Sequence, residues 1–395
     1  MKWFGSKAGR DTARPFLVRW GAGIAGEAWP RSYEAQVREA YLANPVAQRA
    51  VRLVAEAVGS VTVYAEGEAR KKNARSAVGG PSTAPSTSSG AAPLPEHARG
   101  GFQRLVTPAL LETAATQLLL HGNAFVQVLV DGAGLPTELF PLRPERVTVE
   151  PGASGWPAAY LYKAGEARTR LPATDALGRP SLVHLKAPHP LDDHYGLGCL
   201  GAAAGAVAIH NAATRWNKAL LDNAARPSGA LVHAPGDGGA LSPDQYERLK
   251  TEMEAAFQGA GNAGRPLLLD GGLSWQALSL SPAEMDFAGL KAAAAREIAL
   301  AFGVPPMLLG LPGDATYANY REANRALWRL CVLPMAERML RGLGDGLAAW
   351  QPGLKLRADV DQVTALAEER EALWRQVSGA GFLSDAEKRE MLGFG

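Results

Sequence analysis

Arg321, Arg325 and Arg329 recur every four residues. On a helix this spacing lines three guanidiniums along one face as a basic ridge. Two roles fit such a ridge. The favoured one is a solvated or intersubunit salt-bridged face; the other is direct contact with phosphates. His184, His189, Asp192, Asp193 and His194 carry metal-ligating atoms, but Pro188 and Pro190 break their spacing. An irregular solvated loop accounts for them better than a metal centre. Cys199 and Cys331 have no histidine at motif spacing, and there is no GxSxG elbow. The sequence thus assigns no catalytic residue, no metal ligand and no cofactor, and the expectation is a protein that is not an enzyme.

Glycine-rich phosphate loops are the remaining chemistry. Gly21-Ala22-Gly23-Ile24-Ala25-Gly26 matches the dinucleotide fingerprint, yet Pro30 blocks the helix that must open there. A flexible N-terminal arm is the simpler reading. Gly196-Leu197-Gly198-Cys199-Leu200-Gly201 matches again and does open a helix. Pro188 and Pro190 separate it from the preceding strand, where a Rossmann turn is tight. Its glycines are better read as sites of close backbone packing. No GxxxxGK[ST] loop occurs, so the chain is no P-loop motor.

Composition narrows the class. The chain has 395 residues, 47% hydrophobic and 20% charged, with a net charge of +2. That describes a globular protein long enough for about two or three cores. A protein that clamps nucleic acid is more basic than this, although a contact meant to slide needs little charge. Two cysteines in helical contexts argue against a disulfide framework and fit a reducing compartment. Residues 1–10 hold no apolar core of signal-peptide length, and the longest apolar run, 199–209, is too short to span a bilayer.

The elements that position these residues follow from pattern. Residues 31–60 read as two helices, the second begun by Asn44-Pro45, and a strand follows at 61–64. Residues 66–101 are rich in Gly, Ser, Pro, Ala and Thr and predict a mobile surface loop. Thr107-Pro108 starts a helix to His121. Strands are predicted at 123–130, 135–140, 146–150, 158–163 and 181–186, with Asp131-Gly132 as a hairpin signal. A helix over 200–223 carries the stripe Ala202, Ala206, Ile209, Ala213, Trp216 and Leu220.

Residues 226–280 read as a small module: a strand at 229–233, a helix capped by Ser242, and strands at 266–269 and 273–280 joined by Asp270-Gly271-Gly272. A helix over 282–303 begins at a capping box, Ser281-Pro282-Ala283-Glu284, and stops at Gly303-Val304-Pro305-Pro306. Its stripe is Met285, Ala288, Ala292, Ala295, Ala299 and Phe302. A short loop, 307–316, leads to a second long helix in which Pro334 predicts a kink. A strand at 354–357 and two C-terminal helices follow, the last capped by Ser384-Asp385-Ala386-Glu387. The fold class is α+β.

In order and spacing these segments are similar to the portal proteins of tailed bacteriophages and phage-like gene transfer agents. The resemblance rests on Tyr195-Gly196-Leu197-Gly198 opening a long helix, on Ala225-Arg226-Pro227-Ser228-Gly229-Ala230-Leu231, and on Gly261-Asn262-Ala263-Gly264-Arg265-Pro266 before Asp270-Gly271-Gly272. Ala301-Phe302-Gly303-Val304-Pro305-Pro306 with Leu308-Leu309-Gly310, then Thr316-Tyr317-Ala318-Asn319, complete it. It runs from about residue 33 to the C-terminus. The insert at 66–101 departs from the pattern, and with a short C-terminal region a long internal barrel is not expected.

The resemblance implies a portal fold assembled as a dodecameric ring at one vertex of a head, built in the bacterial cytoplasm and carried in the virion between head and tail. Residues 1–30 would be an arm, 31–190 the wing, 200–223 and 282–303 the stem helices, and 226–280 the clip. Residues 307–316 would be the tunnel loop, 317–341 the kinked tunnel helix, 344–360 a wing strand and 361–395 a short crown. Implied partners are further copies of the chain, double-stranded DNA passing without sequence preference, the terminase large subunit, a head–tail adaptor and the major capsid protein, with no membrane. Clip docking would fall on Arg226, Gly236, Asp237, Gly238, Gly259, Asn262 and Gly264. Met307, Leu308, Leu309, Gly310, Leu311, Pro312, Gly313, Asp314 and Thr316 would line the DNA channel, their apolar tips constricting it without gripping phosphates. Two rivals stand beside this reading: a nucleotide-binding α/β enzyme built on a GxGxxG loop, and a monomeric adaptor without a channel.

Overall fold

A computed structural model describes residues 32–65, 101–222, 229–233, 242–245, 247–249, 251, 273–277, 286–311 and 317–392. Helix α1 (Tyr33–Val37) runs into a π-helical turn, Arg38–Leu42. Helix α2 (Pro45–Gly59) starts where Asn44 Oδ1 accepts the amides of Val46 and Ala47, with proline at the position that has no amide to satisfy. Thr107 caps α3 (Pro108–His121) in the same way, and α3 ends at Gly122, whose φ of 83° a side chain would oppose. These starts and stops are the ones the sequence predicts.

Two three-stranded antiparallel sheets follow. In the first, β2 (Asn123–Val130) lies between β3 (Pro136–Leu142) and β7 (Leu182–Lys186). In the second, β5 (Pro157–Ala164) lies between β4 (Val147–Pro151) and β6 (Ala167–Pro172). Strand β6 has no counterpart in the sequence reading. Its residues are exposed almost throughout, so no apolar alternation marks it. The β2–β3 connection is longer than an Asp-Gly hairpin: Asp131 Oδ1 accepts the amides of Ala133 and Leu135, and Gly134 takes the positive φ.

Helix α4 (Leu200–Asp222) precedes β8 (Gly229–His233), which pairs antiparallel with β9 (Leu273–Ala277). At 242–245 the predicted cap forms, Ser242 Oγ accepting from the Gln245 amide and Gln245 Oε1 from the Ser242 amide. The strand expected at 266–269 and the capping box at 281–284 lie outside the described residues, as do the N-terminal glycine motif and the insert from 66 to 100. The described part of the next helix, α5, is Phe287–Ala301, capped by Asp286.

Helices α6 (Tyr317–Leu327) and α7 (Leu333–Leu347) are joined without a break by a π-helical turn, Trp328–Val332. Pro334 has no amide to donate back along the helix, and the chain accommodates this by widening the turn just before it. Strand β10 (Leu356–Ala358) pairs with β1 (Val63–Ala65). Helices α8 (Ala367–Gly379) and α9 (Asp385–Met391) end the described chain, α9 on the predicted Ser384–Glu387 capping box.

The main core is built from α2, α3, α7 and one face of the β3-β2-β7 sheet, and includes Val51, Val54, Leu111, Met339, Leu340 and Leu343. Each such side chain contributes about 1.5–3 kcal/mol on leaving water. Three glycines in α7 bring it down onto the strands. A Cβ at Gly342 would stand 2.4 Å from Leu185, and one at Gly346 2.3 Å from Val183, while Gly344 faces the backbone at Leu354 and Leu356. A smaller core, with Phe125, Leu142, Val149 and Tyr160, fills the space between the two sheets.

Candidate functional site

The loop expected at 307–316 begins just after α5 stops. Phe302 and Val304 are buried, Gly303 turns the chain at φ 68°, and the Val304 amide reaches back to the Ala299 carbonyl at 2.9 Å. The double proline then leads into a 3₁₀ turn, Pro306–Leu309, closed by Gly310 at φ 71°. Leu308 and Leu309 are half-buried and pack against the main core. They form the anchored base of the loop rather than its tip, which the sequence reading did not foresee. Met307 and Leu311 are half-buried, Gly310 is exposed, and Pro312, Gly313, Asp314 and Thr316 lie outside the described residues.

The π-helical turn closes on this base. Cys331 packs under Gly303, and its Sγ lies 3.9 Å from the Phe302 carbonyl. Burial, then the nearby Cys199, push the Cys331 thiol up to about 11, and burial also raises Cys199. Burial thus favours the neutral thiol at both positions.

The arginine ridge lies where its spacing places it, but its partners come from the same chain. Arg321 meets Glu368 at 2.7 Å, Arg325 meets both Glu368 and Glu322, and Arg329 meets Glu369 at 3.4 Å. Glu368 and Glu369 sit in the first turn of α8, where the helix dipole also favours negative charge. A groove of about 240 Å³ opens beside the pairs, lined by Arg321, Asn324, Arg325, Trp328, Thr364 and Glu368. The sequence favours a solvated or intersubunit salt-bridged face; within one subunit the ridge is salt-bridged by carboxylates of its own chain.

The helix expected to form a stem, α4, buries a face displaced from the predicted stripe. Ala206 and Ala213 are buried as expected, but Ala202 and Ile209 are exposed, and Ala203, Val207, His210 and Asn211 are buried instead. Part of the reason is polar. Asn44 Nδ2 donates to Asn211 Oδ1 at 2.8 Å and lies 3.2 Å from His210 Nδ1, while Asn211 Nδ2 donates to Glu39. Hydrogen bonds at His210 and Asn211 add to the apolar face of Leu200, Ala203, Ala206 and Val207 in fixing the helix rotation, so a search for alanine stripes alone misses it. Further along, Trp216 stacks on Phe287 of α5 with centroids 4.2 Å apart. On α5 the stripe grades from exposed Ala288 through half-buried Ala292 to buried Ala295, Ala299 and Phe302.

The other sequence motifs resolve into structure. Asn123, fully buried, accepts from the Gly196 amide at 2.7 Å and donates to the Gly196 carbonyl. A Cβ at Gly196 would stand 2.0 Å from the Gly122 carbonyl, and one at Gly198 2.4 Å from that of Leu120. The space a phosphate would need is filled by the 120–122 backbone, so the 196–201 motif is a packing device. His184 donates Nε2–H to Asn123 Oδ1 and stacks on Phe125 at 4.2 Å; burial lowers its pKa to about 3. Asp192 accepts the amides of His194 and Tyr195, and His189 that of Leu191. No metal-holding cluster occurs among the described residues.

The phage portal protein family matches residues 104–393. The chain belongs to that family. It is similar to a chain of a structure described as the neck of a native gene transfer agent (GTA) particle computed with C12 symmetry, at 46% identity and a TM-score of 0.65, over 93% of this chain and 94% of that one. A chain from the virion of a native GTA particle gives 45% identity and a TM-score of 0.64, over 94% and 96%. The probable portal protein of Streptomyces phage phiC31 is 27% identical over 261 residues, 63% of this chain and 54% of that protein.

Within the portal family frame, the mixed helix-and-sheet architecture is the expected one, and the rival built on a dinucleotide loop falls with the filled Gly196–Gly198 turn. Arg226, Gly236, Asp237, Gly238, Gly259, Asn262 and Gly264, the expected docking residues, lie outside the described residues. Among the described residues no helix is long and apolar enough to cross a membrane. His210 and Asn211, which with Asn44 hold α4, and Gly342 and Gly346, which seat α7, carry no role in the sequence reading, where Asn44 is read only as a helix cap. The glycines were detectable: three at alternate positions in a helix signal a close approach.

Proposed function

We propose that twelve copies of this chain form a ring-shaped channel at the portal vertex of a phage or GTA head. Double-stranded DNA passes through it during packaging and ejection. The observation that carries the reading is the 46% identity, over almost the whole chain, to a chain from a C12-symmetric GTA neck. Exposed apolar side chains support it: Leu300 on α5 is 78% exposed and Leu330 on the π-helical turn 80%, surfaces that further copies would cover. In this reading the protein is structural, and the ATPase that drives packaging is a separate terminase large subunit. Residues 226–280 form the clip, which docks the terminase and then the head–tail adaptor, and the wing meets the major capsid protein. Met307 and Leu311 lead into the constriction.

Native mass spectrometry of the full chain tests the ring. The expected particle is about 500 kDa, twelve chains of 41.6 kDa; a stable monomer or dimer rejects the channel. Deleting residues 236–239 should leave rings that assemble but heads that neither fill nor accept tails. DNA-filled, tailed particles from that deletion would remove the docking role.

A further inference from the structure

Three guanidiniums of one helix face are each met by a carboxylate of the same chain. Glu368 alone receives both Arg321 and Arg325. Two guanidiniums converging on one anionic group is the arrangement that holds a phosphate. The groove beside them, about 240 Å³, has room for such a group. The helix that supplies Glu368 and Glu369 is lightly held. Val377 is the one buried residue of α8, and Trp374 is 41% exposed. A helix seated by ion pairs more than by apolar burial is one that can leave.

We propose that Glu368 and Glu369 are an intramolecular stand-in for phosphate: α8 masks the Arg321–Arg325–Arg329 ridge, and its displacement opens that ridge to the backbone of double-stranded DNA. This rests on the channel reading above and adds a device to it. With α8 seated, Glu322, Glu368 and Glu369 cancel the three positive charges, and DNA slides past. With α8 displaced, the ridge releases counterions from DNA and grips it.

The test uses the full chain and a short fluorescein-labelled duplex, with anisotropy read across a salt series. Glu368→Gln with Glu369→Gln should bind the duplex about tenfold or more tightly than the natural chain at low salt. The log–log salt slope should steepen by about 0.9 for each phosphate gained. Adding Arg321→Gln and Arg325→Gln should return both to the starting values. Unchanged affinity in the double glutamine variant overturns the mask. So does a gain that survives loss of the arginines: the fourfold variant has the natural net charge, so such a gain has a source other than the ridge. Glu369→Gln by itself disturbs only an exposed pair and should show the same sign at smaller amplitude, which covers poor folding of the double variant. Native mass is read alongside: absence of a ring in the natural chain rejects the channel, while the duplex titration still decides the mask.

Discussion

Helices α6 and α7 are two halves of one interrupted helix, and they are built on opposite principles. From Tyr317 to Leu327, α6 buries Leu327 alone and keeps Tyr317 and Tyr320 exposed. From Leu333 to Leu347, α7 buries Ala336, Met339, Leu340, Leu343, Gly344 and Leu347. The first half is held by charges, the second by apolar burial and by glycines that let strands come close. Apolar burial is not screened by salt as charges are, and it responds to single methylenes. Exposed ion pairs are weak, screened and easily exchanged. The π-helical turn joins an exposed, ion-paired half to a buried one without breaking the chain.

The strongest way to break this contrast is to unseat α7. Gly346→Leu would drive a branched side chain into Val183, whose Cγ2 already lies 2.3 Å from where a Cβ would be. Overpacking of this kind costs about 1–3 kcal/mol when neighbours can yield, and more where a strand must move. Gly346→Leu should therefore give little folded subunit, read by thermal unfolding and soluble yield. Leu340→Ala, at a fully buried site, should cost about 2–5 kcal/mol in urea unfolding. Tyr320→Ala on α6 should change subunit stability by under about 0.5 kcal/mol. Equal losses at Leu340 and Tyr320 would erase the distinction between the halves.

How much of this was legible differs between the halves for a physical reason. The arginine spacing gave the ridge, and Pro334 gave an interruption, because both are local. Apart from Glu322, the partners of the ridge are 40 or more residues away on α8, and nothing in the spacing says that Glu368 and Glu369 return to it. The cap residues Asn44, Thr107 and Ser384 were readable because a cap acts within three residues. The rotation of α4 was not, since Asn44 and Asn211 are separated by 167 positions. The packing of Leu308 and Leu309 was hidden for the same reason: apolar residues in a loop look like a tip until the core beneath them is known.

Acid separates the halves a second way. His184 lies on β7 between Val183 and Leu185, which seat α7. Its pKa is lowered from 6.5 to about 3, first by burial and then by Lys186. The folded state thus favours the neutral ring. Stability is fully present above pH 6.5 and is lost as pH falls from there toward 3, by an amount on the order of several kcal/mol. His184→Gln keeps an N–H for Asn123 but cannot take up a proton. It should lose about 1 kcal/mol at neutral pH through the missing stack on Phe125, yet unfold at lower pH than the natural chain. Some acid sensitivity should remain from His121, which burial lowers to about 4. An unmoved acid transition would show that the platform under α7 does not titrate through His184.

The smallest expected effect sharpens the comparison most, because it must be nearly nothing. Arg329 and Glu369 stand 3.4 Å apart with side chains 62% and 40% exposed. Two long side chains ordered in water gain little, so the pair is worth about 0–1 kcal/mol and less at high salt. Arg329→Gln should leave the thermal unfolding midpoint of the subunit within about a degree or two, with no further change when salt is raised. Hydrogen exchange should report what melting does not. Amides of α8 should exchange faster in the variant, while those of α7 stay protected, because the two helices do not share their means of attachment. A large fall in melting temperature would make the ridge part of the structural core. In that case α6 and α7 would be one mechanical unit, and the π-helical turn would join two parts of the same kind.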